Sequence, residues 1–287
     1  MSHDIIVRKV RFPFSEDLPA LWNPGACEWS HMVNGASFVM PYLEPFLVKT
    51  MREAMTLLED PDLLEDARGF VGQEAQHYTN HRRYNEMLKR NGYPELEEVE
   101  ESLDRAYARL GEKSLTWRLA YSAGFETMTM GITEWLINDR NALFKDADPA
   151  VSSLVLWHMV EETEHKSVAF EVFQAVSGSY WLRVLGLIYG SLHVGFLSRR
   201  GYVAMLKKDG VWRDPRSRLR LWRIVGSFYV KAGGAMLAAL HPAHHPDDTA
   251  DPHWIEKWRR AHADMSADEL PMLNTTQGSI EPVKALS

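Results

Sequence analysis

A chain of 287 residues, 45% hydrophobic and 25% charged, has material for a sizeable core and none of the bias of a disordered or fibrous sequence. Its formal net charge of −7 argues against a general nucleic-acid binder. The single cysteine, Cys27, excludes an intramolecular disulfide and fits a reducing compartment.

The opening MSHDIIVRKVRFPFSEDLP has no long apolar run behind its basic residues, so no secretory signal and a cytoplasmic location are expected. Residues 1–36 show little helical periodicity and carry Pro13, Pro19, Pro24 and Gly25, reading as an arm laid over a core. A helix is expected from about Tyr42 to Glu59, with Pro41 and Pro45 marking its start and Glu44 near its beginning. Asp60-Pro61-Asp62 opens a second helix, which runs to about Arg90 and stops at Asn91-Gly92. The acidic stretch 94–110 reads as a long crossover to a third helix, about Ser114 to Phe144. A fourth covers about Pro149 to Val176.

Two apolar segments follow, 184–198 and 221–240. Each uncharged run falls short of the ~18–20 residues of a spanning helix, and Lys231 interrupts the second, so both are expected to pack on the preceding helices. Between them, residues 199–223 hold nine Lys/Arg against Asp209 and Asp214. The tail from about Ser266 is polar and expected to be poorly ordered. No stretch alternates for long, so the class is all-α. The expected division is an arm (1–36), a four-helix bundle (37–178), a C-terminal helical extension packed on it (179–265) and a flexible tail (266–287).

Chemistry concentrates in two helices. The fourth carries Glu162-Thr163-Glu164-His165 and the second carries Glu74-Ala75-Gln76-His77. Residues three apart share a helix face, so each Glu/His pair can reach one ion. Glu44 precedes Glu74 by 30 residues and Glu126 precedes Glu162 by 36, each among apolar neighbours. Thirty-odd residues at about 1.5 Å rise suit two antiparallel half-helices and a loop. The order Glu, Glu-x-x-His, crossover, Glu, Glu-x-x-His is the layout of ferritin-like di-iron and di-manganese carboxylate bundles. Four carboxylates neutralise two divalent cations, so such a group can be buried when loaded. The bland alternative is a solvated helix face of polar pairs or, for Glu126, a partner such as Arg118.

His81 and His158 fall on the same faces and are candidates for extra ligands or for orienting the ligands. Tyr121, Phe125, Trp157, Tyr189 and His193 are candidates to line a pocket, although aromatic stripes are more often core. Glu161 and Glu164 are expected in solvent or paired with Lys166. His241, His244 and His245 read as loop residues.

"FVGQEAQHYTNH" with "WHMVEETEHKSVAFEVF", "FPFSEDLPALW" and "HPAHHPDD" resemble the bacterial family of predicted metal-dependent hydrolases, over about residues 5–255. The resemblance implies Glu44, Glu74, His77, Glu126, Glu162 and His165 as metal ligands. The donor set suits two iron ions, with manganese, a mixed manganese–iron pair or zinc as alternatives. The expected activity is oxidation of a small organic substrate by dioxygen. Metal-dependent hydrolysis is the alternative, and metal storage or lipid-associated binding the third. Peripheral membrane or acyl-chain contact through 184–240 and a homodimer are the partner alternatives; nucleic acid is not expected.

Overall fold

The computed structural model describes residues 5–266 and 269–284. The chain is mostly helical: α1 (Cys27–Met55), α2 (Pro61–Arg90), α3 (Leu96–Gly111), α4 (Leu115–Asn138), α5 (Arg140–Leu143), α6 (Pro149–Glu164), α7 (Val168–Val176), α8 (Tyr180–Lys208), α9 (Pro215–Ala238) and α10 (His253–Ala263). One antiparallel hairpin, β1 (Glu269–Leu273) with β2 (Ile280–Lys284), follows.

One device starts three of these helices. Asp60, Asp148 and Asp214 each accept hydrogen bonds from the first backbone N–H groups of α2, α6 and α9, and each is followed by proline. An aspartate cap satisfies donors that the first turn leaves open, and the proline there has no N–H to satisfy. Ser114 and Ser179 cap α4 and α8 in the same way.

Three helices depart from expectation. The first does not begin near Tyr42: α1 starts at Cys27 and runs through both Pro41 and Pro45, placing Glu44 mid-helix. A proline at position 41 cannot donate to the Ser37 carbonyl one turn earlier. The Asn85 amide of α2 donates to that carbonyl at 2.9 Å, so a neighbouring helix repairs the lost bond. The third helix ends at Asn138, and the fourth is split into α6 and α7 by a turn over residues 165–167.

α1 lies along α2, and α4 packs on α6 and α7; α2 meets α6 and α7, and α1 meets α4. Together these helices enclose one interior. α8 crosses α4 and α1 on the outside, while α9 lies on α4. Glycines set the close crossings. A Cβ on Gly186 would collide with the Ala120 backbone, and one on Gly124 with the backbone of Gly186 and Leu187.

The N-terminal arm is extended, and it buries Phe12, Phe14, Leu18 and Trp22 against the core. Over residues 269–284 the expected flexible tail is instead the β hairpin. Leu270, Met272 and Leu273 are buried, and the Leu273 N–H donates to Ser153 Oγ at 2.8 Å on α6. Apolar residues in an otherwise polar tail anchor it. Residues 267–268 and 285–287 of that tail lie outside the described residues.

Candidate metal centre

The interior between these helices is polar. Glu44 comes from α1, Glu74 and His77 from α2, Glu126 from α4, and Glu162 from the last turn of α6, with His165 at its C-cap. All six are buried. Glu44, Glu74 and His77 bring donor atoms within 4.8 Å of one another, and so do Glu74, Glu162 and His165. Glu74 belongs to both groups, which makes two adjoining positions. Glu126 stands with the second, its Oε2 lying 3.6 Å from His165 Nε2.

The separations inside the cluster are informative. His165 Nε2 lies 3.4 Å from Glu74 Oε1 and 3.6 Å from Glu162 Oε2, and His77 Nδ1 lies 3.8 Å from both Glu74 Oε1 and Glu162 Oε1. These are too long for good hydrogen bonds. Two donors each about 2.1 Å from one ion, about 90–110° apart, are separated by about 3.0–3.5 Å, close to what is seen. Both oxygens of Glu44, Glu74 and Glu126, Glu162 Oε2, His77 Nδ1 and His165 Nε2 have no hydrogen-bond partner. Buried polar atoms are rarely orphaned, and a buried carboxylate least of all. The orphans converge, so the donor set fits metal.

The other ring nitrogens are fixed crosswise. His77 Nε2 faces Glu161 Oε2 at 3.1 Å, and His165 Nδ1 faces Gln73 Oε1 at 2.8 Å. Each residue preceding a motif glutamate thus holds the histidine of the opposite motif. Such partners set the tautomer and aim the free nitrogen.

Glu161 and Glu164 are therefore not solvated, contrary to expectation, and both are buried. Arg8 of the arm donates to Glu161 Oε1 at 3.1 Å and to both oxygens of Glu164 at 2.7 and 2.8 Å. Trp157 Nε1 donates to Glu161 Oε1 at 2.9 Å, and Gln73 and Arg259 donate to Glu164. Lys166 pairs with Asp251 instead. The arm and α10 cover what a helical wheel shows as a wet face. Only the adjacency of Gln73 and Glu161 to the two motifs hints at their role. Arg118, the alternative partner considered for Glu126, bonds Glu53.

His158 Nε2 lies 2.8 Å from Glu162 Oε1 and 3.7 Å from Glu44 Oε1. Behind it a file of contacts runs through His81 Nε2 (2.8 Å), from His81 Nδ1 to Ser37 Oγ (2.8 Å), and on to Asn85. Among the aromatic candidates, Trp157 packs edge-on against His77 with ring centroids 4.9 Å apart. Tyr121, Tyr189 and His193 form a separate group on the α8 side. There the Tyr121 hydroxyl lies 3.1 Å from that of Tyr107 and 3.0 Å from His193 Nδ1, and Tyr189 stacks on His193. Phe125 lies where α4 meets Gly190 of α8. Surface clefts of about 710 and 480 Å³ lie beside α8 and α9, and neither is lined by these residues.

Burial, followed by the neighbouring Glu74, holds the Glu44 carboxyl well above the ordinary carboxylate range; burial and Glu162 do the same to Glu126. Glu162 lies well below its ordinary value because His165 and His158 outweigh its burial. His77 is pushed up to about 10: burial opposes this, but the Glu161 and Glu74 carboxylates win. Burial and His77 depress His158. Without cations, such a cluster takes up protons to limit its own repulsion.

A second group, Cys27, His31 and Asp209, joins α1 to the end of α8. Both Asp209 oxygens there are taken, by His31 Nε2 and the Tyr93 hydroxyl, each at 2.7 Å.

Fold and site together define a mostly helical protein with a buried carboxylate–histidine centre able to hold metal. The chain belongs to the family described as predicted metal-dependent hydrolases, whose sequence model matches residues 6–250. No curated protein and no solved structure matches it.

Proposed function

We propose that the chain is a two-metal enzyme of ferritin-like architecture, with Glu44, Glu74, His77, Glu126, Glu162 and His165 holding the ions and hydrolysis as its reaction. The observation that carries the metal reading is the convergence of orphaned buried donors on two adjoining positions. The hydrolytic reading rests on the family description, which favours it over the oxygen-dependent oxidation expected from the motifs. When bound, two divalent cations would acidify a water and polarise a carbonyl or phosphoryl group.

The chain's own residues do the rest. Glu161 and Gln73 hold the His77 and His165 rings so that one nitrogen of each faces the centre. His158, bonded to Glu162 and backed by His81 and Ser37, is placed to take a proton at one ring nitrogen and release one at the other. All six ligand residues are buried, which strengthens each charge interaction inside.

Oxygen-dependent oxidation remains the second reading, because four carboxylates with two histidines also suit redox-active iron or manganese. The test is an anaerobic panel of ester, lactone, amide and phosphoester substrates with iron-, manganese- and zinc-loaded protein. Hydrolysis reads as metal-dependent turnover that persists without oxygen and disappears in Glu162→Ala. No turnover on the panel, together with oxygen uptake on Fe(II) loading, would hand the site to the second reading.

A further inference from the structure

The outer side of the α8–α9 hairpin is apolar where a globular surface is usually polar. On α8, Trp181, Leu185, Ile188, Leu192 and Phe196 are all exposed, Trp181 by 72% and Leu192 by 64%. Steps of three and four residues put them on one helical stripe. The α8 residues that face α4 and α1, among them Gly186, Gly190 and Gly201, lie on the opposite side. On α9, Trp222, Tyr229, Val230 and Leu237 are exposed, Trp222 by 63% and Val230 by 80%, while Ala232 packs on Gly131 of α4. Tyr180 at the start of α8 bonds the Leu240 carbonyl just past α9, and a short turn joins their other ends. The two stripes are thus turned away from the same underlying layer, α4, on which both helices pack.

Nine large apolar side chains, each exposed by about half or more on two helices of one layer, depart from the singly scattered ones usual on a soluble surface. An 18-residue window of α8 has a mean hydropathy of 1.2 and is only 33% buried. By length and composition α8 passes as a membrane span, yet its inner side is packed along α4 and α1.

Charge identifies the occupant. Tyr180–Lys208 and Pro215–Ala238 contain no Asp or Glu, in a chain with 39, but hold ten of its 32 Lys/Arg. Basic residues gather at the turn end. Arg199 lies three residues past Phe196 and prolongs its stripe, and Arg200 stacks its guanidinium over the Phe196 ring at 4.8 Å. Arg199, Arg200, Lys207 and Lys208 line the 710 Å³ cleft opposite Glu95. Arg216 and Arg223 flank Leu219 and Trp222 on α9. Apolar faces carrying Trp, Phe and Leu, edged by Lys and Arg, suit the interfacial layer of a bilayer with anionic head groups.

We infer that the α8–α9 face seats the protein on an anionic phospholipid surface, lying in the interface without crossing it, with the basic cleft facing lipid phosphates. The inference is independent of the reaction catalysed at the buried centre.

Co-sedimentation of the full, metal-loaded chain with vesicles tests it, using phosphatidylcholine alone and phosphatidylcholine with one-third phosphatidylglycerol. Pelleting is expected with the mixed vesicles, weakening as salt rises, and at least tenfold less with the neutral ones. Leu192→Glu with Val230→Glu should lower the partition at least tenfold while circular dichroism and metal content stay unchanged. Arg199→Gln with Arg200→Gln should erase the preference for phosphatidylglycerol. Absence of pelleting at low salt, or pelleting indifferent to the Leu192/Val230 pair, overturns the inference. So does a stable dimer by light scattering that the same pair dissociates, since a second copy would then own the face.

Discussion

The buried centre and the α8–α9 face break the same rule from opposite sides. In the first, four glutamates and two histidines sit where a core is apolar; in the second, tryptophans, leucines and a valine sit where a surface is polar. Neither makes sense for the isolated chain. Buried carboxylates with orphaned oxygens call for cations, and an exposed apolar stripe calls for an apolar phase. The two differ in what supports them. The centre is braced by crosswise hydrogen bonds and a strap from the N-terminus, whereas the face is carried by helices whose inner sides pack on α4 and α1 through close glycine crossings and buried residues such as Leu187, Val194 and Leu197. That difference can be probed by substitution.

The largest effect belongs to the strap. Arg8→Ala leaves Glu161 and Glu164 buried without their main cation, a loss expected to cost about 3–5 kcal/mol. Thermal or urea unfolding measures it, and a change under about 1 kcal/mol would mean that the arm does not close the centre. On the other side of the comparison, Gly186→Ala forces a methyl into the α4 backbone and should cost about 1–3 kcal/mol, with metal content intact.

Glu161→Gln keeps the shape of the His77 partner and removes its charge. Metal affinity is expected to fall about 10–100-fold with little change in fold. Titration of metal into the stripped protein reads this directly, and an unchanged affinity would reduce Glu161 to a packing residue.

Acidity should act on the centre and leave the face alone. Glu44 and Glu126 are held above the ordinary carboxylate range, so the metal-free chain carries protons that cations must displace. Their sign is clear: a raised carboxyl stabilises the metal-free fold while protonated and loses that contribution as pH rises through its folded value. The loaded protein has no such loss from these two groups. The melting-temperature gap between loaded and metal-free protein should therefore widen as pH rises; a gap that narrows would contradict the electrostatic account.

Spacing made much of the centre legible. The two Glu-x-x-His pairs and their preceding glutamates name six residues, and the fold brings all six to one interior. The Asp-Pro starts of α2 and α6 are equally readable, because a cap acts within one turn, whereas that of α9 lies inside the basic stretch 199–223 and starts the helix ahead of the apolar segment 221–240. The burial of Glu161 and Glu164 was hidden, since the arginine that pairs with them comes from the opposite end of the chain. Helix α1 is longer than its prolines suggest for a similar reason: its proline defect is mended by Asn85, a side chain on another helix. In α8 the apolar residues spoke for helix, but only the fold shows which stripe faces outward.

Metal analysis of the purified, reconstituted chain beside Glu74→Ala tests the central claim most directly, because Glu74 joins the group of Glu44 and His77 to that of Glu162 and His165. Two divalent ions per chain, with both lost in Glu74→Ala while the helical signal persists, is the predicted result. No bound metal in the parent chain, or two ions retained in Glu74→Ala, would contradict it.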